Sequence, residues 1–228
     1  MLDSSTSQAA PPSGRRRGIL TARRLTQLFV GLFLYGLGIS LIVSGNLGGA
    51  PWDVLTQGLA KQTGMSFGLI TVITSGIVLL FWIPLKQKPG FGTIANALLV
   101  GPFADLGFLI VPDTEVLWIR IVYLAAGILV LGAATGLYIG AHYGPGPRDG
   151  LMTGINARTG VKIWIARTSI ELVVLGLGWL LGGVVGLGTV AFALLIGPIC
   201  GVTIPLFSIR GVRAADAGSR TPEPAPSA

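Results

Sequence analysis

Residues Gly92–Pro102 read GTIANALLVGP, and residues Gly188–Pro198 read GTVAFALLIGP. Eight of these eleven positions are identical and two more exchange Ile and Val, so one segment is written twice, 96 residues apart. Extended outward without a gap, the same offset lays Gly48, Pro51, Asp53, Leu55, Gly58, Thr63 and Gly64 over Gly144, Pro147, Asp149, Leu151, Gly154, Thr159 and Gly160. Gly31, Gly36 and Leu41 fall in the same way on Gly127, Gly132 and Leu137. Two copies of a unit of about ninety residues therefore make up most of the chain.

The material of that unit is apolar. With 51% hydrophobic and 11% charged residues among 228, a mean hydropathy of +0.76 and 35 glycines, the composition is that of a membrane protein. The net charge of +7 does not point to nucleic acid, because the basic residues sit in short clusters beside apolar runs, where membrane orientation places them. Cys200 is the single cysteine, so an intrachain disulfide is ruled out; it reads as a small packed residue.

Six apolar runs are long enough to be membrane spans: 25–45, 67–85, 91–111, 117–141, 163–181 and 187–209. Before them, residues 1–24 are polar, rich in Ser, Pro and Arg, and read as a disordered cytoplasmic tail; residues 210–228 read the same way. The membrane repeats are thus expected at 25–111 and 117–209. Between spans one and two lies GGAPWDVLTQGLAKQTG, and its copy GPGPRDGLMTGINARTG lies between spans four and five. Each is too short and polar to cross. Each starts as a helix does, with Pro51 or Pro147 at the first position and an acid, Asp53 or Asp149, in the first turn. These segments are either re-entrant helices or amphipathic helices lying in the interface.

With the amino terminus inside, six spans place 14 of the 16 basic residues on the cytoplasmic side, leaving Lys61 and Arg120 outside or near it. The positive-inside rule then puts both termini in the cytoplasm. Three spans per unit is an odd number, so successive copies enter from opposite faces. The expected fold is an all-α membrane protein of six transmembrane helices in two inverted three-helix repeats, each with an additional short helix. Secondary transporters are commonly built this way.

Gly101-Pro102 and Gly197-Pro198 interrupt the third span of each unit near its centre, where proline removes a hydrogen bond and predicts a kink or break. Paired interruptions at matching places point to a central binding site, although Ala97, Gly101, Ala193, Gly197 and Gly201 also serve close helix packing. Asn96 breaks the symmetry of the opening stretch, since Phe192 stands at its place in the other copy. Glu171, some two turns into the fifth span and one turn from Arg167, is either a structural ion pair or part of a relay. The candidate substrate-binding set is therefore Asn96, Gly101, Pro102, Arg167, Glu171, Gly197 and Pro198, with Asp53, Asp149 and Arg148 as gate or cap residues. Asp105 is expected near the outer end of its span. His142 stands alone, so no metal site is expected, and the sequence holds no catalytic set or cofactor motif.

The pair LGGAPWDVL and YGPGPRDGLM, together with the repeated GTxAxALLxGP, resembles bacterial integral membrane proteins of the YczE/YyaS type, related to YitT, over about residues 25–207. That resemblance implies a multipass plasma-membrane protein for which transport is often suspected, and it supplies no agreed binding residues. Two functions follow as expectations. The first is a small-molecule permease or exporter working by alternating access; the alternative is a non-transporting accessory protein that binds a partner enzyme or pathway component. Neither is an enzyme. The expected partners are the lipid bilayer and an unidentified small solute, with no nucleic acid and with a homo-oligomer left open.

Overall fold

A computed structural model of the chain describes residues 14–209, and the outer parts of the two expected tails, 1–13 and 210–228, lie outside the described residues. Among the described residues eight helices run in order: α1 (Gly14–Ser44), α2 (Pro51–Thr63), α3 (Phe67–Trp82), α4 (Phe91–Ile110), α5 (Leu117–Gly140), α6 (Pro147–Thr159), α7 (Ile163–Leu180) and α8 (Leu187–Phe207). Helix α1 starts ahead of the expected span and takes in part of the segment read as tail. There Arg24 donates to the carbonyls of Ala141 and His142, each at 2.9 Å, which ties that turn to the end of α5.

Among the described residues, five helices are long and apolar enough to cross a membrane: α1, α4, α5, α7 and α8. The pair α2 and α3, bent by 116° at the turn between them, provides a sixth crossing if it is taken as one broken span. The expectation that 67–85 spans alone is therefore modified. Helix α3 has 16 residues, roughly 24 Å at 1.5 Å per residue, and it ends two residues before Pro84, which disfavours helix in the residue ahead of it. Helices α4 and α8 are continuous through Pro102, Pro198 and Pro205, so the expected breaks are absent. A missing amide removes one hydrogen bond from a long ladder, and the turns on either side hold the helix together.

The helices form two groups. Helices α1 and α5 pack along most of their length, with α4 on α1 and α8 on α5. Gly31 and Gly127 permit this approach, since a methyl group on Gly31 would strike the backbone of Tyr138 and one on Gly127 would strike Ile42 and Gly38. Leu28, Leu32, Ile39 and Ile42 of α1 meet Ile128, Leu131 and Tyr138 of α5 in the main core. The second group pairs α2 with α7 and α3 with α6, around Trp52, Val78 and Val174, and α3 joins it to the first by packing along α4.

Contacts recur at the offset of the sequence repeat. Arg24 bonds the carbonyls of Ala141 and His142, while Arg120 bonds those of Gly45 and Asn46, each at 2.8 Å. The Gly92 amide donates to Tyr143 O at 2.9 Å, and the Gly188 amide to Leu47 O at 2.8 Å. Gly58 packs on Gly178 and Leu181 as Gly154 packs on Leu85 and Gln87.

Candidate functional site

The amino ends of α2 and α6 meet. Each follows a chain that turns back from a long helix in extended backbone, through Gly48 at φ +95° and Gly144 at φ +117°, conformations that suit a residue without a side chain. Pro51 and Pro147 then start the helices. Arg148 Nη1 lies 3.8 Å from Asp53 Oδ1, and its guanidinium covers the Trp52 ring at 5.0 Å from the centroid. Trp52 and Arg148 occupy the same place in the two copies, so the repeat meets itself through a cation–π contact.

Beside this junction, between the two helix groups, lies a cavity of about 190 Å³. Asn96, Arg148, Asp149, Arg167 and Glu171, all singled out by the sequence, line it. Asp53 stands behind the wall at 1% exposure, joined to it through Arg148. Gly101, Pro102, Gly197 and Pro198 do not reach the lining. Gly101 is buried against Gly68, and both prolines face outward. The reason is the continuity of α4 and α8: an unbroken helix directs its proline ring to one side and frees no stretch of backbone to bind a solute.

Each charged group in the wall but one has an oppositely charged partner among the described residues. Arg167 Nε donates to Glu171 Oε1 at 3.0 Å, as the one-turn spacing predicts. Arg148 is shared by Asp53 and the Trp52 ring. Asp149 Oδ2 accepts from the Tyr138 hydroxyl at 3.1 Å and has no cation in salt-bridge range among the described residues. Tyr138 in turn packs edge-on against Tyr35 at 5.8 Å. Two buried polar atoms of the junction, Trp52 Nε1 and Asp53 Oδ2, have no hydrogen-bond partner among the described residues. Buried polar atoms are rarely left so, and those that are call for an explanation.

Sequence reasoning missed Tyr35, Thr71, Ser75, Tyr138 and the wall role of Cys200. Part of that signal was in the register: Thr71 and Ser75 sit at the places of Arg167 and Glu171, and all four line the cavity.

Asp105 proves to be a latch. Its Oδ1 accepts from the Gly68 amide and its Oδ2 from the Ser66 hydroxyl, both at 2.7 Å, so a carboxylate of α4 caps the amino end of α3. Gly68 and Gly101 touch beside it, and a methyl group on either would strike the other's backbone. In the second copy Lys162, Trp164, Gly197 and Gly201 stand at the places of Ser66, Gly68, Gly101 and Asp105. Helices α7 and α8 make at most marginal contact, and a methyl group on Gly197 or Gly201 would meet nothing within 4 Å.

Residues 22–205 match the family described as "Family of unknown function (DUF6198)". Among curated proteins, an uncharacterized protein of Haemophilus influenzae is 42% identical over 78% of this chain and 81% of its own length. The uncharacterized membrane protein YczE of Bacillus subtilis is 32% identical over 80% of this chain and 86% of its own. The uncharacterized protein YyaS of the same organism is 28% identical, with coverages of 78% and 90%. No solved structure matches.

Proposed function

Because this chain belongs to the DUF6198 family of membrane proteins, with YczE among its relatives, we propose that it is a small-solute permease of the plasma membrane working by alternating access between two inverted halves. In this reading the halves are α1–α4 and α5–α8, both termini are cytoplasmic, and the short helices are re-entrant. The reciprocal arginine caps at the repeat offset support the inversion, because two copies can exchange the same contact only when a twofold relation joins them. The Asp53–Arg148 approach of 3.8 Å supports re-entry. Helices lying flat on opposite faces of a hydrocarbon core of about 30 Å would keep those residues far apart.

One observation carries the transport reading: a central cavity is bounded by two equivalent seams, α3–α4 latched and α7–α8 parted. With the amino terminus inside, the latch lies toward the exterior and the parted seam toward the cytoplasm, which is an inward-open state. Alternating access requires this pairing of one closed and one open path. The chain acts on no covalent bond in this account.

The test is flux. Purified protein in liposomes is expected to move a subset of a solute panel, and a panel without any flux or ligand-induced stabilisation overturns the proposal. The native Cys200 gives a second reading, because it lines the cavity. A membrane-impermeant maleimide is expected to modify it from the cytoplasmic side and not from the exterior; labelling from the exterior alone would reverse the assigned state.

A further inference from the structure

We propose that the central cavity takes a small organic cation, of the quaternary-ammonium or alkylamine class; this rests on the permease reading and gives it a substrate. Three carboxylates, Asp53, Asp149 and Glu171, meet two guanidiniums, Arg148 and Arg167, in and behind the wall. Arg167 is held by Glu171 at 3.0 Å and Arg148 by Asp53 at 3.8 Å. Asp149 has the Tyr138 hydroxyl and no cation in salt-bridge range among the described residues. The cavity thus holds one more carboxylate than its guanidiniums match, in a wall that also carries apolar and aromatic side chains.

The rest of the wall suits the apolar body of such a cation. Tyr35, Tyr138 and Phe192 contribute to the lining, and aromatic rings attract cations that lack strong hydration shells. At about 190 Å³ the space lies below the usual range of roughly 300–1,000 Å³ for drug-sized ligands, which confines the class to small members. An anion would face Asp149, and each guanidinium already stands beside a carboxylate of its own.

Three probes of one shape separate charge from fit: choline, its neutral carbon analogue 3,3-dimethylbutan-1-ol, and the anion 3,3-dimethylbutyrate, each titrated calorimetrically into the purified full chain. Choline is expected to bind at least about tenfold more tightly than the alcohol, with no heat from the anion. D149N is expected to weaken choline about tenfold, while D149E, which keeps the charge, retains binding and controls for folding. Equal or tighter binding of the alcohol or the anion overturns the cation class and leaves the cavity standing as a solute site. Choline affinity unchanged in D149N overturns the assignment to Asp149. If none of the three binds while the flux panel yields another solute, the class falls and the permease stands; if none binds and nothing crosses, both fall.

Discussion

The first half of the molecule closes on itself and the second does not. In the first, Asp105 reaches from α4 to the amino end of α3, and Gly68 lets Gly101 come within touching distance. In the second, a lysine, a tryptophan and a glycine occupy the latch positions, Trp164 is 65% exposed, and Gly197 faces open space. The shared contacts, by contrast, have been kept with close fidelity, from the glycine crossings of α1 and α5 to the paired arginines. The lesson is that a duplicated scaffold holds its frame by conserving what joins the copies, and gains a working asymmetry by altering what closes each copy.

The comparison is broken most completely at its premise. Single cysteines at Lys88 and Val185, both exposed and at nearly equivalent places in the two copies, are expected to react with impermeant reagents from opposite sides of the bilayer. Labelling from one side alone removes the inversion and the permease with it.

Gly101→Leu and Gly197→Leu come next. The first drives a side chain into the Gly68 backbone and is expected to cost about 3 kcal/mol or more, or to prevent folding. The second enters open space and is expected to change thermal stability by less than about 0.5 kcal/mol. Melting curves in detergent decide it, and equal losses would mean that α7 and α8 are as closely packed as α3 and α4.

Asp105→Ala removes two hydrogen bonds to a charged acceptor and is expected to cost about 2 kcal/mol while letting impermeant reagent reach Cys200 from the exterior. A destabilised protein with unchanged exterior labelling would make Asp105 a helix cap and nothing more. The smallest effects test the symmetric part. Arg24→Ala and Arg120→Ala are each expected to cost about 1–2 kcal/mol, the first slightly more because Arg24 also lies over the Tyr143 ring at 4.4 Å. A large difference between them would mean that the two caps are not equivalent.

Much of this was legible in the residues. The duplication, the apolar runs and the proline-started short helices fixed the order of the elements, because hydropathy and helix-start chemistry are local properties. Asn96, Arg148, Asp149, Arg167 and Glu171 were singled out because polar groups in apolar surroundings are conspicuous. Which of them share a space was not legible, since that depends on how far α2 and α6 turn back between the long helices. The proline pairs were misleading for a related reason: the motif states that a hydrogen bond is missing, and the continuity of the helix is decided by its neighbours. The latch was visible only as a mismatch in register. Ser66 over Lys162, Gly68 over Trp164 and Asp105 over Gly201 form one coherent set of changes, whereas each taken alone resembles ordinary drift.

The arginine caps also dictate an order of events during synthesis. Gly45 and Asn46 leave the ribosome long before Arg120 does, and Arg24 waits longer still for Ala141 and His142. A nascent first half therefore holds bare carbonyls at one end and an unspent guanidinium at the other until the sister segment arrives, so maturation is a late event shared by both, and a lone half is an unfinished object.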